Sequence, residues 1–392
     1  MARRSTAGDP SRLLSRKAQT ITSFLVMDVL EEALALERAG EDIIHLEVGQ
    51  PDFPTPQCIV EAMCRAVAAG HTRYTHSMGI TELREAICER YRAHYGVEIE
   101  CDQVTVTSGT SPALLLALAT LVEPEDEVIL ADPGYACYPN FVRLLGGRCV
   151  FFPVSEAEGF QYDPAQIAKR ITPRTKAIII NSPANPTGAV LDESLLREIA
   201  DLGPPVISDE IYHGLTYGVE AQTLLRFTDR AFVLDGFSKR YAMTGWRLGY
   251  VIAPPPLVRA VQKLQQNLFI CASSFAQWGG VAALREAGAE VARMRSIYDE
   301  RRKFIIAALR ELGFGVTSEP RGAYYVLANA RHLSHDSVTL ARQLLREAKV
   351  AVAPGADFGS NAEGYIRFSY ANSLENIEEG AARLRRCLGA RG

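Results

Sequence analysis

The sequence predicts an α/β protein: a large domain on a mostly parallel seven-stranded sheet covered by helices on both faces, with a smaller α+β domain beside it. Three observations carry this expectation. Short β-branched runs alternate with helical patterns up to about residue 285, which is how strand–helix–strand units read. Beyond that point the alternation stops and a long charged helical stretch takes over. The chain also has 392 residues, more than one small core organises.

The elements follow in order. Residues 24–38 carry apolar side chains at helical spacing (Phe24, Val26, Met27, Val29, Leu30, Ala33, Leu34, Leu36) and stop at Gly40. Ile43-Ile44-His45-Leu46 then leads into a turn-rich stretch, Gly49-Gln50-Pro51-Asp52-Phe53-Pro54. Strands are expected at 104–107, 128–131, 148–154, 176–181, 205–209, 231–235 and 248–253, with helices such as 111–121, 135–145 and 193–201 between them. A helix at roughly 283–312 leads to Gly322-Ala323-Tyr324-Tyr325-Val326-Leu327, followed by a helix at 337–348, a strand at 365–369 and a helix near 374–388. The large domain is expected to span 45–285, and the smaller one to join 1–44 with 286–392.

Composition narrows the function classes. Apolar residues make up 47% and charged residues 22%, as in ordinary soluble enzymes. A net charge of −4 offers no electrostatic footprint for nucleic acid. No stretch of about 18 apolar residues suggests a membrane span. The eight cysteines (58, 64, 88, 101, 137, 149, 271, 387) are scattered without a C-x-x-C pair, which argues for free thiols in a reducing compartment and against a zinc site or disulfide framework. His332 and His335 lack a neighbouring ligand motif and read as a solvated helix start, so no metal is expected. The first 20 residues hold Arg3, Arg4, Arg12, Arg16 and Lys17 against Asp9, a balance seen in transit peptides and in mobile arms alike. Without an amphipathic stripe there, the cytoplasm is the expected location.

The chemistry concentrates in Gly236-Phe237-Ser238-Lys239 and Ala242-Met243-Thr244-Gly245-Trp246-Arg247-Leu248-Gly249. A lysine amine condenses with aldehydes once burial or neighbouring charge lowers its pKa. Arg247 offers a planar fork of donors suited to a phosphate dianion. Strand 104–107 runs into Ser108-Gly109-Thr110-Ser111 and an apolar helix, a place where backbone N–H groups face an anion or where an ordinary cap sits. No nucleotide-binding glycine motif is present.

This segment closely resembles the lysine-attachment motif of the class I/II aminotransferases, the fold-type I pyridoxal-phosphate family, in the subgroup with the Ala-Met-Thr-Gly-Trp-Arg signature. The match runs in consistent order from about residue 45 to 370 and implies an aspartate aminotransferase-like fold. By resemblance, Lys239 holds the cofactor and then serves as the base that moves the substrate's Cα proton. Asp209, at the end of strand 205–209, meets the pyridinium nitrogen, and Tyr212 and Asn185 bond the phenolic oxygen. Tyr135 stacks on the ring, while Gly109, Thr110, Ser111, Ser238 and Arg247 serve the phosphate. Arg367, in the apolar strand Tyr365-Ile366-Arg367-Phe368-Ser369, binds the substrate α-carboxylate, because an arginine there is costly to bury without a partner. Asn185 also borders the substrate, and Gly49 belongs to the loop that closes over it. Tyr74 reaches the phosphate of a neighbouring subunit, which implies a homodimer with shared active sites.

The implied activity is a ping-pong transfer of an amino group between an L-amino acid and a 2-oxo acid. Two departures stand out. Gly236 occupies a place where some relatives carry serine, and Cys271-Ala272-Ser273-Ser274 lacks the arginine that reads a distal carboxylate in classical aspartate enzymes. A C–S β-lyase on the same scaffold shares the early chemistry. A cofactor-sensing regulator is the remaining alternative, disfavoured because only about 45 residues precede the matching region.

Overall fold

The computed structural model describes residues 13–389; the acidic–basic balance of the first twelve positions lies outside them. Twelve strands are assigned among these residues: β1 (Ile44–His45), β2 (Val104–Thr107), β3 (Glu127–Asp132), β4 (Arg148–Pro153), β5 (Thr175–Asn181), β6 (Val206–Asp209), β7 (Phe232–Gly236), β8 (Gly249–Ile252), β9 (Tyr325–Asn329), β10 (Val350–Ala351), β11 (Ala353–Pro354) and β12 (Tyr365–Ser369). Seven form one sheet in the order β2-β8-β7-β6-β5-β3-β4. Six of these run parallel, and β8 alone is antiparallel to its neighbours β2 and β7.

Burial on both sides follows from the two-residue period of a strand. Val128, Leu130, Ala177, Ile179, Ile207 and Leu234 face one side, where they pack on helix Thr110–Leu121 and on Val261. Ile129, Ala131, Ile178, Ile180 and Val206 face the other, against Ile167, Leu196 and Ile199. Helix Thr110–Leu121 has no charged residue and buries Leu114, Leu116 and Leu118, each contributing about 1.5–3 kcal/mol.

A second, antiparallel sheet orders β11-β12-β9, and β1 pairs in parallel with β10. Helix Leu25–Arg38 packs its Val29 and Ala33 on Ile43, Leu345 and Ala351, so the N-terminal helix joins the C-terminal elements. Two expected helices differ in extent. The stretch at 283–312 is two helices, Ser274–Glu286 and Gly288–Glu311, because glycine at 288 is a poor helix former and the chain bends at buried Ala287. The helix expected at 135–145 is Tyr138–Leu144; Pro139 fits only in the first turn, which leaves Tyr135 outside.

Gly249 lies close against the start of helix Thr110–Leu121 at the sheet rim. A Cβ there would lie 2.8 Å from the Gly109 carbonyl carbon and 2.9 Å from the Thr110 nitrogen. Both are backbone atoms that cannot step aside. Gly249→Ala is therefore expected to destabilise the fold by about 1–3 kcal/mol, read as a lower urea midpoint; an unchanged midpoint would contradict this packing.

Candidate active site

Strands that run parallel bring their carboxyl ends to one rim. At this rim Asp132, Asn181 and Asp209 close β3, β5 and β6, and Ser238-Lys239 follow β7. One cavity there is lined by Lys239, Asp209, Tyr212, Asn185, Asn181, Tyr135, Thr110, Ser111, Gly49 and Arg367, together with Tyr138 and Tyr325. Nine of the positions singled out in the sequence thus share a single space.

Lys239 donates from Nζ to the Gly49 carbonyl at 2.7 Å, and Tyr324 donates to the same oxygen at 3.0 Å. Burial of the ammonium, helped by the nearby Arg247 and Arg367 charges, lowers its pKa to about 8 against the pull of Asp209. Asp209 accepts from the Tyr138 hydroxyl at 2.6 Å and from the Ile211 N–H at 3.2 Å. Burial raises its pKa, opposed by those donors and by Lys239. Tyr212 shares a hydrogen bond of 2.8 Å with Tyr325. Burial holds the Tyr212 hydroxyl well above the ordinary phenol range, so it stays protonated.

Arg367 sits mid-strand in β12 and is 1% exposed. Its Nη1 donates to Asn185 Oδ1 at 2.9 Å and its Nη2 to the Glu47 carbonyl in a short contact, while Nε has no partner among the described residues. The rings of Tyr325 and Phe358 lie 4.3 and 4.8 Å from the guanidinium carbon. Every one of these partners is neutral. A buried cation with neutral neighbours beside an open cavity is arranged for an anion from outside.

Gly109 and Arg247 meet at the edge of the site. Gly109 has φ +99°, and a Cβ on it would come within 2.5 Å of Arg247 Nη2, so glycine is needed for the arginine to cross the start of helix Thr110–Leu121. That helix begins with no side-chain cap, which leaves its first N–H groups for an anion. Arg247 itself takes a left-handed φ of 52° and donates to the Thr244 carbonyl at 2.9 Å. Ser238 is buried beside Lys239 but does not line the cavity, and Tyr74 is 80% exposed, away from this chain's own site.

Several contributors escaped the sequence reading. Tyr138 lies three positions after Tyr135, close enough for their rings to meet edge to face at 5.2 Å. Tyr325 opens β9 directly after Tyr324. Phe24, Val26 and Met27 form an apolar wall of the cavity. Asp357 fixes that wall by accepting from Leu25 N at 3.0 Å and Val26 N at 3.1 Å, capping a helix that lacks its own side-chain cap. A cap from more than 300 residues away leaves no local signature.

These residues fit a flat, phosphorylated aldehyde: an amine of lowered pKa, an uncapped helix start beside an arginine, and a buried carboxylate share one pocket. Comparison with known proteins agrees. The family profile "Aminotransferase class I and II" matches residues 41–384. The (5-formylfuran-3-yl)methyl phosphate transaminase of Methanocaldococcus jannaschii is 41% identical, covering 96% of this chain and all of its own. The aspartate/prephenate aminotransferase of Thermus thermophilus is 38% identical, covering 96% and 99%. The solved structure of aspartate aminotransferase from Thermus thermophilus with maleate superposes with a TM-score of 0.92 at 38% identity, covering 95% of this chain and 99% of that one. The chain belongs to the class I and II aminotransferases, a pyridoxal-phosphate-dependent family with the aspartate aminotransferase fold.

Proposed function

We propose that this aminotransferase acts on amino acids with apolar or aromatic side chains, as a cytoplasmic homodimer of amino-acid metabolism. Buried Arg367, neutral-partnered and opening onto the same cavity as Lys239, carries the amino-acid reading, and the apolar wall of that cavity carries the side-chain preference.

Pyridoxal phosphate, when bound, supplies the electron-withdrawing ring that makes the substrate's Cα proton acidic. The protein's part is to hold and direct. Lys239 anchors the cofactor and, as a neutral amine, takes and returns the Cα proton at Nζ. Asp209, fixed by Tyr138 and the Ile211 N–H, would hold the ring nitrogen protonated. Tyr212 and Asn185 would hydrogen-bond the phenolic oxygen; Tyr212 is oriented by Tyr325, and Asn185 by Asn181, whose Oδ1 accepts from Asn185 N at 2.8 Å. Arg247, Ser111 and the helix start would hold the phosphate, and Tyr135 would stack on the ring. Arg367 takes the α-carboxylate.

The side-chain preference rests on what remains of the cavity wall. With Lys239 and Arg367 engaged, its lining is dominated by Phe24, Val26, Met27, Leu114 and Phe141. Apolar walls reward apolar side chains by roughly 0.8 kcal/mol per methylene. The exposure of Tyr74 supports a role toward a neighbouring copy, hence the dimer.

Uptake of pyridoxal phosphate by the apoenzyme requires the neutral amine, so its rate is expected to rise with pH and level off above about 8; Lys239→Ala should remove both the visible absorbance of bound cofactor and nearly all turnover. Arg367→Leu is expected to lower kcat/KM on the order of 10- to 100-fold while cofactor absorbance persists. Phenylalanine or leucine should outperform aspartate in half-reactions, and Met27→Arg should shift the ratio toward aspartate. A wild-type preference for aspartate would overturn the side-chain assignment and leave the aminotransferase assignment intact.

A further inference from the structure

Cys88 and Cys101 bring their sulfurs to 3.1 Å, about 1 Å beyond a disulfide bond. Cys88 lies within helix Thr81–Tyr95 and is 6% exposed. Cys101 opens the short turn Cys101–Gln103 that leads into β2, and it is half-buried. The chain between them reverses at Gly96, which takes φ +66° at the helix end.

Both sides of the pair are anchored. Glu100 and Gln103 cap the turn reciprocally. Arg84, on the same helix as Cys88, donates to the Cys101 carbonyl at 3.3 Å and to Asp102 at 3.2 Å. The two sulfurs are thus held facing one another by contacts that do not involve them. Neither residue lines the cavity that holds Lys239.

We propose that Cys88 and Cys101 form a reversible dithiol–disulfide site that exchanges with small-molecule disulfides of the glutathione class. The half-exposed Cys101 thiolate attacks the external disulfide, forming a mixed disulfide and releasing one small thiol. Cys88 then attacks the Cys101 sulfur, its proton leaving with the second small thiol. Two protein thiols are oxidised, one external disulfide is reduced to two thiols, and the electrons balance. The order follows from access. Burial pushes the Cys88 thiol up to about 12, which suits it to resolve the mixed disulfide rather than to start the exchange. The bond ties helix Thr81–Tyr95 to the entrance of β2, the strand that delivers Gly109 and Ser111 to the active-site rim.

The test uses reduced full-length holoenzyme incubated with oxidised glutathione, quenched in acid, alkylated with N-ethylmaleimide and mapped by peptide mass spectrometry. The expected result is loss of alkylation at both Cys88 and Cys101, a linked Cys88–Cys101 peptide pair, and reversal by dithiothreitol. Cys101→Ser should abolish the linkage, and Cys88→Ser should leave glutathione trapped on Cys101. Stable glutathione on wild-type Cys101 without the linkage would overturn the proposal. So would an unmodified pair under conditions in which exposed Cys64 reacts.

Discussion

Much of this molecule is organised around the burial of one guanidinium. Placing a charge in a low-dielectric interior costs several kcal/mol, and rings and carbonyls return only part of it. Arg367 therefore draws in parts of the chain that are distant in sequence: the Glu47 carbonyl, Asn185 at the end of a loop, Tyr325 from the adjacent strand and Phe358 from the preceding turn. Asn185 in turn donates to Asn181, Asn181 to the Asp209 carbonyl, and Tyr138 to the Asp209 carboxylate. A single relay of hydrogen bonds runs from Arg367 to Asp209. Neither end can shift without disturbing the other.

The relay would be loose if the two sheets moved independently. Asp132, at the end of β3, prevents this by accepting from Ser360 N, Ser360 Oγ and Asn361 N, while its own carbonyl accepts from Asn361. A Cβ on the adjacent Gly359 would collide with that carboxylate at 2.1 Å. Two residues earlier Asp357 holds the first turn of helix Leu25–Arg38. The segment before β12 thus fastens the large sheet on one side and the apolar wall on the other.

The fold was largely legible because periodicity is local. Each of the seven long-sheet strands appeared as a β-branched or apolar run within a residue or two of its observed ends, since strands covered on both faces favour such residues. The polar residues at the strand ends were visible too, but a carboxylate or amide there also caps helices and turns, so their roles came from the resemblance. What escaped was contact between distant parts. Nothing near Phe24 or Met27 announces that they border a pocket, and nothing near Asp357 announces that it caps a helix far earlier in the chain. The nearness of Cys88 to Cys101 was hidden for a related reason: their spacing matches no ligand or redox motif, and only the reversal at Gly96 brings them together.

The single reversed strand explains the spacing of the lysine and the arginine. Because β8 runs against β7, the connection between them leaves the rim and returns to the same rim. A residue just after one strand and a residue just before the next are then neighbours in space whatever the connection contains. Lys239 and Arg247 owe their joint presence to this round trip, and no contact between them is needed to maintain it. A parallel β8 would have required a crossover along one face of the sheet, and a residue just before it would have lain at the opposite rim.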